Sequence, residues 1–280
     1  MKQRNHRLPK ERKVPERDKL HGQHFLRDRE LILEMIGIAG IRTTDTVVDI
    51  GAGAGAITLL LAKKAGKVLA VENDPVLAAA LRRRTGELRH ITVVEKDFAI
   101  TRLPQEPFCV VANIPFYMTT AILTRLLDSP AEAFQRAVLI VAHGAAKGFT
   151  ARRIRSARLL AWRMWFDIKL AKVVPRHRFS PPPSVDAALL HIRRKSSPPV
   201  PLQHRARFIA LAEYGLRYPD LPIHEALKGI FTPPQLKQLL RAVGADRNDP
   251  ICRLNERQWG IVFHTMIAHV ERHRWPARRK

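Results

Sequence analysis

The 280-residue sequence predicts an α/β fold: a mostly parallel sheet with helices on both faces, then a smaller helical region. Three observations carry this expectation. Short apolar, β-branched runs alternate with helical patterns from Thr46 to Val141. Several of these runs end in a glycine or an acid or amide side chain, as strands do at the ligand-binding edge of an open sheet. A proline-rich stretch, Ser196–Pro201, then separates this region from further helical patterns.

The chain opens on a polar, basic segment, residues 1–19, with Lys2, Arg4, Arg7, Lys10, Arg12, Lys13, Arg17 and Lys19. Little in it can be buried, so a disordered tail that could serve as a nucleic-acid arm is expected. His21-Gly22-Gln23-His24-Phe25-Leu26 follows as a loop with a buried aromatic. It leads into an amphipathic helix near 28–39 that carries Leu31, Ile32, Met35 and Ile36 on one face.

Strands are expected near 46–50, 67–71, 91–94, 108–112 and 137–141, with helices near 56–65, 75–84, 119–128 and after 141. Val47 to Ile50 is a buried strand, Gly51-Ala52-Gly53-Ala54-Gly55 a tight turn, and Ala56 onward a helix. The second strand ends in Glu72, about 20 residues past the glycines, where an acid accepts from ribose hydroxyls. Together these features predict a nucleoside-containing cofactor. Asp97, after the third strand, can accept from an adenine amino group. The fourth strand ends in Asn113-Ile114-Pro115-Phe116. Asp49, Gly51, Gly53, Glu72, Asp97 and Asn113 therefore cluster at one edge.

Residues 151–180 are rich in cations, among them Arg152, Arg153, Arg155, Arg176 and Arg178, with Asp167 the only acid. Trp162, Trp165 and Phe166 are interleaved, which reads as a helix with an aromatic face and a phosphate-contacting face. The Pro175–Pro183 loop is stiffened by its prolines and presents Phe179, either as a wall for a flat base or as ordinary core. A last strand is expected over 185–192, antiparallel to its predecessor. Beyond the linker, helices are expected near 203–216, 222–229, 233–242 and 255–272, with Pro233-Pro234 opening one and Gly244 closing it. The organisation expected is a tail (1–19), a catalytic domain (20–195), a small helical RNA-binding domain (196–271) and a second basic tail (272–280).

Lys and Arg total 49 against 25 acids, a formal net charge of +24. Such an excess favours a polyanionic partner, nucleic acid before a membrane surface. The two cysteines, Cys109 and Cys252, form no CxxC, so neither a disulfide nor a metal site is expected. No apolar run reaches transmembrane length, and a cytoplasmic location is the default.

Gly22-Gln-His-Phe-Leu26, Asp49-Ile-Gly-Ala-Gly-Ala-Gly55, Asn113-Ile-Pro-Phe116 and Phe179-Ser-Pro-Pro-Pro-Ser-Val-Asp186 occur in one order. In that order they resemble the rRNA adenine-N6 dimethyltransferase family, with its Erm resistance and KsgA-type ribosome-maturation branches. The resemblance runs from about His21 to Ile192 and more weakly through the helical region. It implies a Rossmann-like sheet and S-adenosylmethionine as methyl donor. It places Gln23, His24 and Phe25 at the strand closing over the donor, Asp49, Gly51 and Gly53 beneath its methionine part, Glu72 on the ribose and Asp97 on the adenine. Asn113 and the Ile114 carbonyl would hold the target amine, with Phe116 and Phe179 stacking on the flipped base. His24 stands where the family often has Asn, and Phe116 where Tyr is commoner. Ile114 and the basic arms are more like the Erm branch, which acts on 23S rRNA. The maturation branch, acting on small-subunit rRNA, more often has Leu at that position. A monomer is expected. A catalytically silent RNA-binding relative stays open, and a DNA adenine methyltransferase is disfavoured by the motif order.

Overall fold

The computed structural model describes residues 25–26, 28–128 and 133–277. The expected basic tail, Gln23 and His24 lie outside the described residues.

A seven-stranded sheet organises the chain. Its strands are β2 (Thr46–Ile50), β3 (Lys67–Glu72), β4 (Ile91–Glu95), β5 (Phe108–Asn113), β6 (Phe134–Ala142), β7 (Phe166–Val174) and β9 (Ala187–Arg194). Their order across the sheet is β4-β3-β2-β5-β6-β9-β7. The first five are mutually parallel. β9 returns antiparallel between β6 and β7. A separate pair joins β1 (Phe25–Leu26) to β8 (Phe179–Ser180), with Leu26 opposite Phe179. Between strands come α1 (Arg29–Ala39), α2 (Thr58–Leu61), α3 (Pro75–Thr85), α4 (Thr119–Leu127), α5 (His143–Thr150) and α6 (Ala157–Trp165). The C-terminal lobe holds α7 (Arg205–Gly215), α8 (Ile223–Leu227), α9 (Pro233–Val243) and α10 (Glu256–His269).

The period of two along buried strands explains the layers. Val47, Cys109, Val111, Val138 and Ile140 face one core, which α1 covers with Leu31, Ile32, Met35 and Ile36. Val48, Val110, Ala112, Ala137, Leu139 and Val141 face the other, covered by α4 and α6. Asp28 caps α1 by accepting from the Leu31 amide at 3.0 Å, and Gly40 ends it in the left-handed region. Arg136 on β6 then holds that end, donating to the Ala39 carbonyl at 2.6 Å and to Asp45 at 2.6 Å.

Three features depart from the expected pattern or add to it. The first is β7, within a stretch expected to be helical. α6 runs into it with no intervening turn, Trp165 ending the helix and Phe166 starting the strand. β7 is the sheet's edge, and Lys169 and Lys172 along it deter pairing with another chain. The second is the linker. Val200 is fully buried and its carbonyl accepts from the Trp165 indole at 2.9 Å, so the connecting segment packs against α6. The core beside α6 continues without a break into Phe208, Phe231, Trp259 and Phe263 of the C-terminal lobe. The third is the C-terminal basic segment, whose Trp275 donates to the Val270 carbonyl at 2.9 Å and carries the Arg207 guanidinium 4.8 Å over its ring. The expected Pro start and Gly244 stop of α9 hold, with a Thr232–Gln235 capping box added.

Candidate active site at the carboxyl ends of the strands

β2 lies between β3 and β5, so the chain leaves it to one side and later returns on the other. Open α/β sheets bind ligands at such a crevice. Gly51, Gly53 and Gly55 take positive φ values of 71°, 55° and 93°, which a side chain would strain. The amides of Gly51 and Ala52 both donate to the Val71 carbonyl, at 2.8 and 3.1 Å, and this lays the turn against β3. A Cβ built on Gly51 would stand 3.9 Å from both the Asn113 carbonyl oxygen and Pro115 Cδ. The glycine turn and the Asn113–Phe116 turn are therefore neighbours across the crevice.

Glu72 is buried and ties two loops together. Its Oε2 accepts from the Gly53 amide at 2.7 Å and its Oε1 from the Asp74 amide at 2.8 Å. Asp97 sits at the next strand end, half-buried, and accepts from the Ala99 amide at 2.8 Å. Asp49 is buried on the other side of the turn. Its Oδ2 accepts from Thr58 Oγ1 at 2.6 Å, while its Oδ1 is buried without a hydrogen-bond partner. Burial pushes its carboxyl up to about 7; the Thr58 hydroxyl opposes that rise and the Glu72 charge adds to it. Sequence pattern does not single out Thr58, although it opens α2 on the helix side of the glycine turn.

Asn113 ends β5, half-buried, and Ile114 is buried behind it. The next turn is locked by the Met118 amide donating to the Pro115 carbonyl at 2.9 Å and by Thr119 Oγ1 donating to the Phe116 carbonyl at 2.8 Å. Phe116 is half-buried against the core that contains Leu26 and Phe179. Phe179 itself is 3% exposed, so it backs this region and offers no open face. The Phe25 backbone pairs with Ser180, which brings the N-terminal motif to the proline loop. That pairing, spanning most of the catalytic region, has no local signature.

The expected phosphate-contacting arginines divide into two groups. Arg155 makes a bidentate pair with Asp220 of the C-terminal lobe, one bond at 2.6 Å, and Arg178 pairs with Asp28. Their charges are engaged by protein carboxylates. Arg176 is exposed, its guanidinium 3.5 Å from the Ser184 carbonyl. Arg152 and Arg153 are exposed and pair with no acid among the described residues. With Arg163, Arg253 and Arg257 they line a cleft of about 700 Å³ between the two lobes, where Glu256 is the one acid. No described group of His, Cys, Asp and Glu could hold a metal ion. No described helix is long and apolar enough to cross a membrane.

A mostly parallel, mixed sheet with a glycine turn after β2, an acid ending β3 and an amide-proline-aromatic turn after β5 defines the Rossmann-like methyltransferase class. Within that class, a family model described as ribosomal RNA adenine dimethylase matches residues 16–266, and the chain belongs to that family. A relative from Bacillus licheniformis named rRNA adenine N-6-methyltransferase is 41% identical over all of this chain and 98% of its own. One of the same name from Bacteroides fragilis is 35% identical over 89% of this chain and 93% of its own. A small-subunit rRNA methyltransferase A from Streptococcus equi subsp. zooepidemicus is 32% identical over 70% of this chain and 72% of its own. The crystal structure of the 23S rRNA methyltransferase ErmE superposes with a TM-score of 0.79 at 27% identity, covering 87% of this chain and 99% of that one. The chain is an rRNA adenine-N6 methyltransferase and uses S-adenosylmethionine.

Proposed function

We propose that the chain methylates an adenine of 23S rRNA and thereby confers resistance to macrolides, lincosamides and streptogramin B. The observation that carries this choice is the extent of similarity. Identity of 41% spans the whole chain for the Bacillus relative, but 32% covers only 70% of it for the small-subunit enzyme. The likeness to ErmE supports the same reading. Residues 20–195 act as the catalytic domain and 196–271 as a helical RNA-binding domain. The exposed arginines of the interlobe cleft suit phosphate, Arg152 and Arg153 among them.

The site residues fit the donor. Gly51 and Gly53 leave the turn's backbone bare for its methionine part. The unpartnered Asp49 Oδ1 faces a low-dielectric setting where a cationic amine would satisfy it. Glu72 keeps acceptor capacity for ribose hydroxyls beyond its two amide bonds, and Asp97 has an oxygen left for an adenine amino group. Gln23 and His24 precede β1 in the sequence and, with Phe25, act from the entrance. When bound, S-adenosylmethionine supplies an electrophilic methyl on a sulfonium sulfur.

The exocyclic amine of adenine is a poor nucleophile because its lone pair is delocalised into the ring. The Asn113 side-chain oxygen and the Ile114 carbonyl accept its two protons and favour a more tetrahedral nitrogen, its lone pair aimed at the methyl. Positioning and electrostatics then carry the step without a strong base. The base leaves its stack at a cost of a few kcal/mol, offset in part by stacking on Phe116, with Phe179 behind it. Asn113→Ala is expected to abolish methyl transfer while leaving donor binding intact. Primer extension on both rRNAs, from cells expressing the wild type or this variant, tests the reading. A wild-type-only stop at one 23S adenine supports it. Stops at adjacent adenines near the small-subunit 3′ end would assign the maturation role instead.

A further inference from the structure

The most exposed large apolar side chains among the described residues stand on one edge of the molecule. Ile100 is 76% exposed, Val76 75% and Tyr117 75%. Each follows a polar strand-end residue by three or four positions: Val76 after Glu72, Ile100 after Asp97, Tyr117 after Asn113. Glu72 and Asn113 close their strands and Asp97 lies two residues past the end of β4, and the apolar residue stands on the helix or 3-10 turn that comes next. The catalytic crevice is thus bordered by hydrocarbon facing water. Val173 and Val185, also exposed, belong to the same edge, because Val173 and Val174 pair with Ala188 and Ala187 opposite the end of β6.

Folding does not account for this border, since none of the three side chains reaches a core. Clustered exposed apolar groups mark a surface that another molecule covers. Lys96 and Arg102, exposed on the same loop as Ile100, select a partner that carries both apolar faces and negative charge. Unpaired RNA has both. A base flipped into the pocket leaves its neighbour without a stacking partner, and a tyrosine ring replaces that partner with little loss of rotamer freedom. We infer that Tyr117 is a substrate-positioning residue whose ring stacks on the unpaired base beside the target adenine, with Ile100 and Val76 continuing the platform beneath the same single strand. The inference rests on the adenine pocket proposed above.

The test uses the full chain with 23S and small-subunit rRNA fragments, each with 2-aminopurine next to its target adenine. In Tyr117→Ala the KM for RNA is expected to rise about tenfold. Quenching of the 2-aminopurine should be lost and the Kd for S-adenosylmethionine unchanged. Tyr117→Phe keeps the stacking face and should match the wild type in both readouts. Wild-type quenching and KM in Tyr117→Ala would overturn the inference alone. A wild type that methylates neither fragment would overturn the adenine-pocket reading, and the inference with it.

Discussion

Asp49→Asn should change the stability of the protein with a sign opposite to that expected of most lost carboxylates. Asp49 is buried, its Oδ1 lacks a partner, and burial raises its carboxyl from the usual 3.8 to about 7. A proton-bound Asp49 is the comfortable form in the fold, whereas the unfolded chain releases that proton near pH 4. The folded state therefore binds more protons across that window, and stability falls as pH rises from about 4 to 7. The rise corresponds to about 4 kcal/mol, an upper figure because buried sites relax and admit water. Above pH 7 the penalty is complete. The amide that replaces the carboxyl carries no charge, and its oxygen can still accept from Thr58. Urea unfolding of both proteins without donor, from pH 4 to 8, is the assay. The variant should gain on the wild type as pH rises and exceed it by roughly 1–4 kcal/mol at pH 8. Other titrating groups, such as His191, cancel in the difference between the two curves. On the donor placement proposed above, the bound donor reverses the effect, because a cationic amine beside Asp49 favours the charged form. Donor binding to the wild type should therefore tighten about tenfold between pH 5.5 and 6.5 and stay flat in the variant. A pH-independent stability difference would refute the reasoning, as would parallel pH profiles of donor affinity.

Two further outcomes are expected. Phe208→Ala removes a fully buried ring that meets Trp165 edge-on at 5.5 Å. It should cost about 3–5 kcal/mol and leave one unfolding transition for both lobes, because their core is continuous; two transitions by fluorescence and circular dichroism would contradict this. Replacing Arg152 and Arg153 together with Glu should weaken RNA binding and lower the slope of log Kd against log salt by about 1.4, with donor affinity unchanged; an unaltered slope would remove the cleft from the RNA interface.

The parts of the site that are legible in the sequence are those made locally. A buried strand followed by a polar residue announces a strand end, and this alone places Asp49, Glu72, Asp97 and Asn113 on one edge. What escapes depends on residues far apart in the chain. β7 alternates strictly only over Phe166-Asp167-Ile168-Lys169-Leu170, an irregularity between Leu170 and Lys172 breaks its period, and α6 enters it without a turn residue to mark the change. The engagement of Arg155 by Asp220 and of Arg178 by Asp28 follows only from folding, so a count of cations overstates those free for phosphate. The proline linker reads by composition as a separator of two regions, yet Val200 within it is buried and accepts a hydrogen bond from the Trp165 indole.

The late return of β9 has a consequence for synthesis. Val138 to Val141 of β6 are wholly buried in the finished sheet, and β9 supplies one of the two flanks that cover them. A nascent chain that has emerged only as far as Ala142 therefore displays a long apolar strand with an open row of amides and carbonyls, through all the time taken to make roughly fifty more residues. A stalled or truncated product ending in that interval is a template for association with its own copies. Yield should thus depend on how quickly the ribosome traverses residues 143–194, a stretch outside the crevice at the ends of β2 to β5.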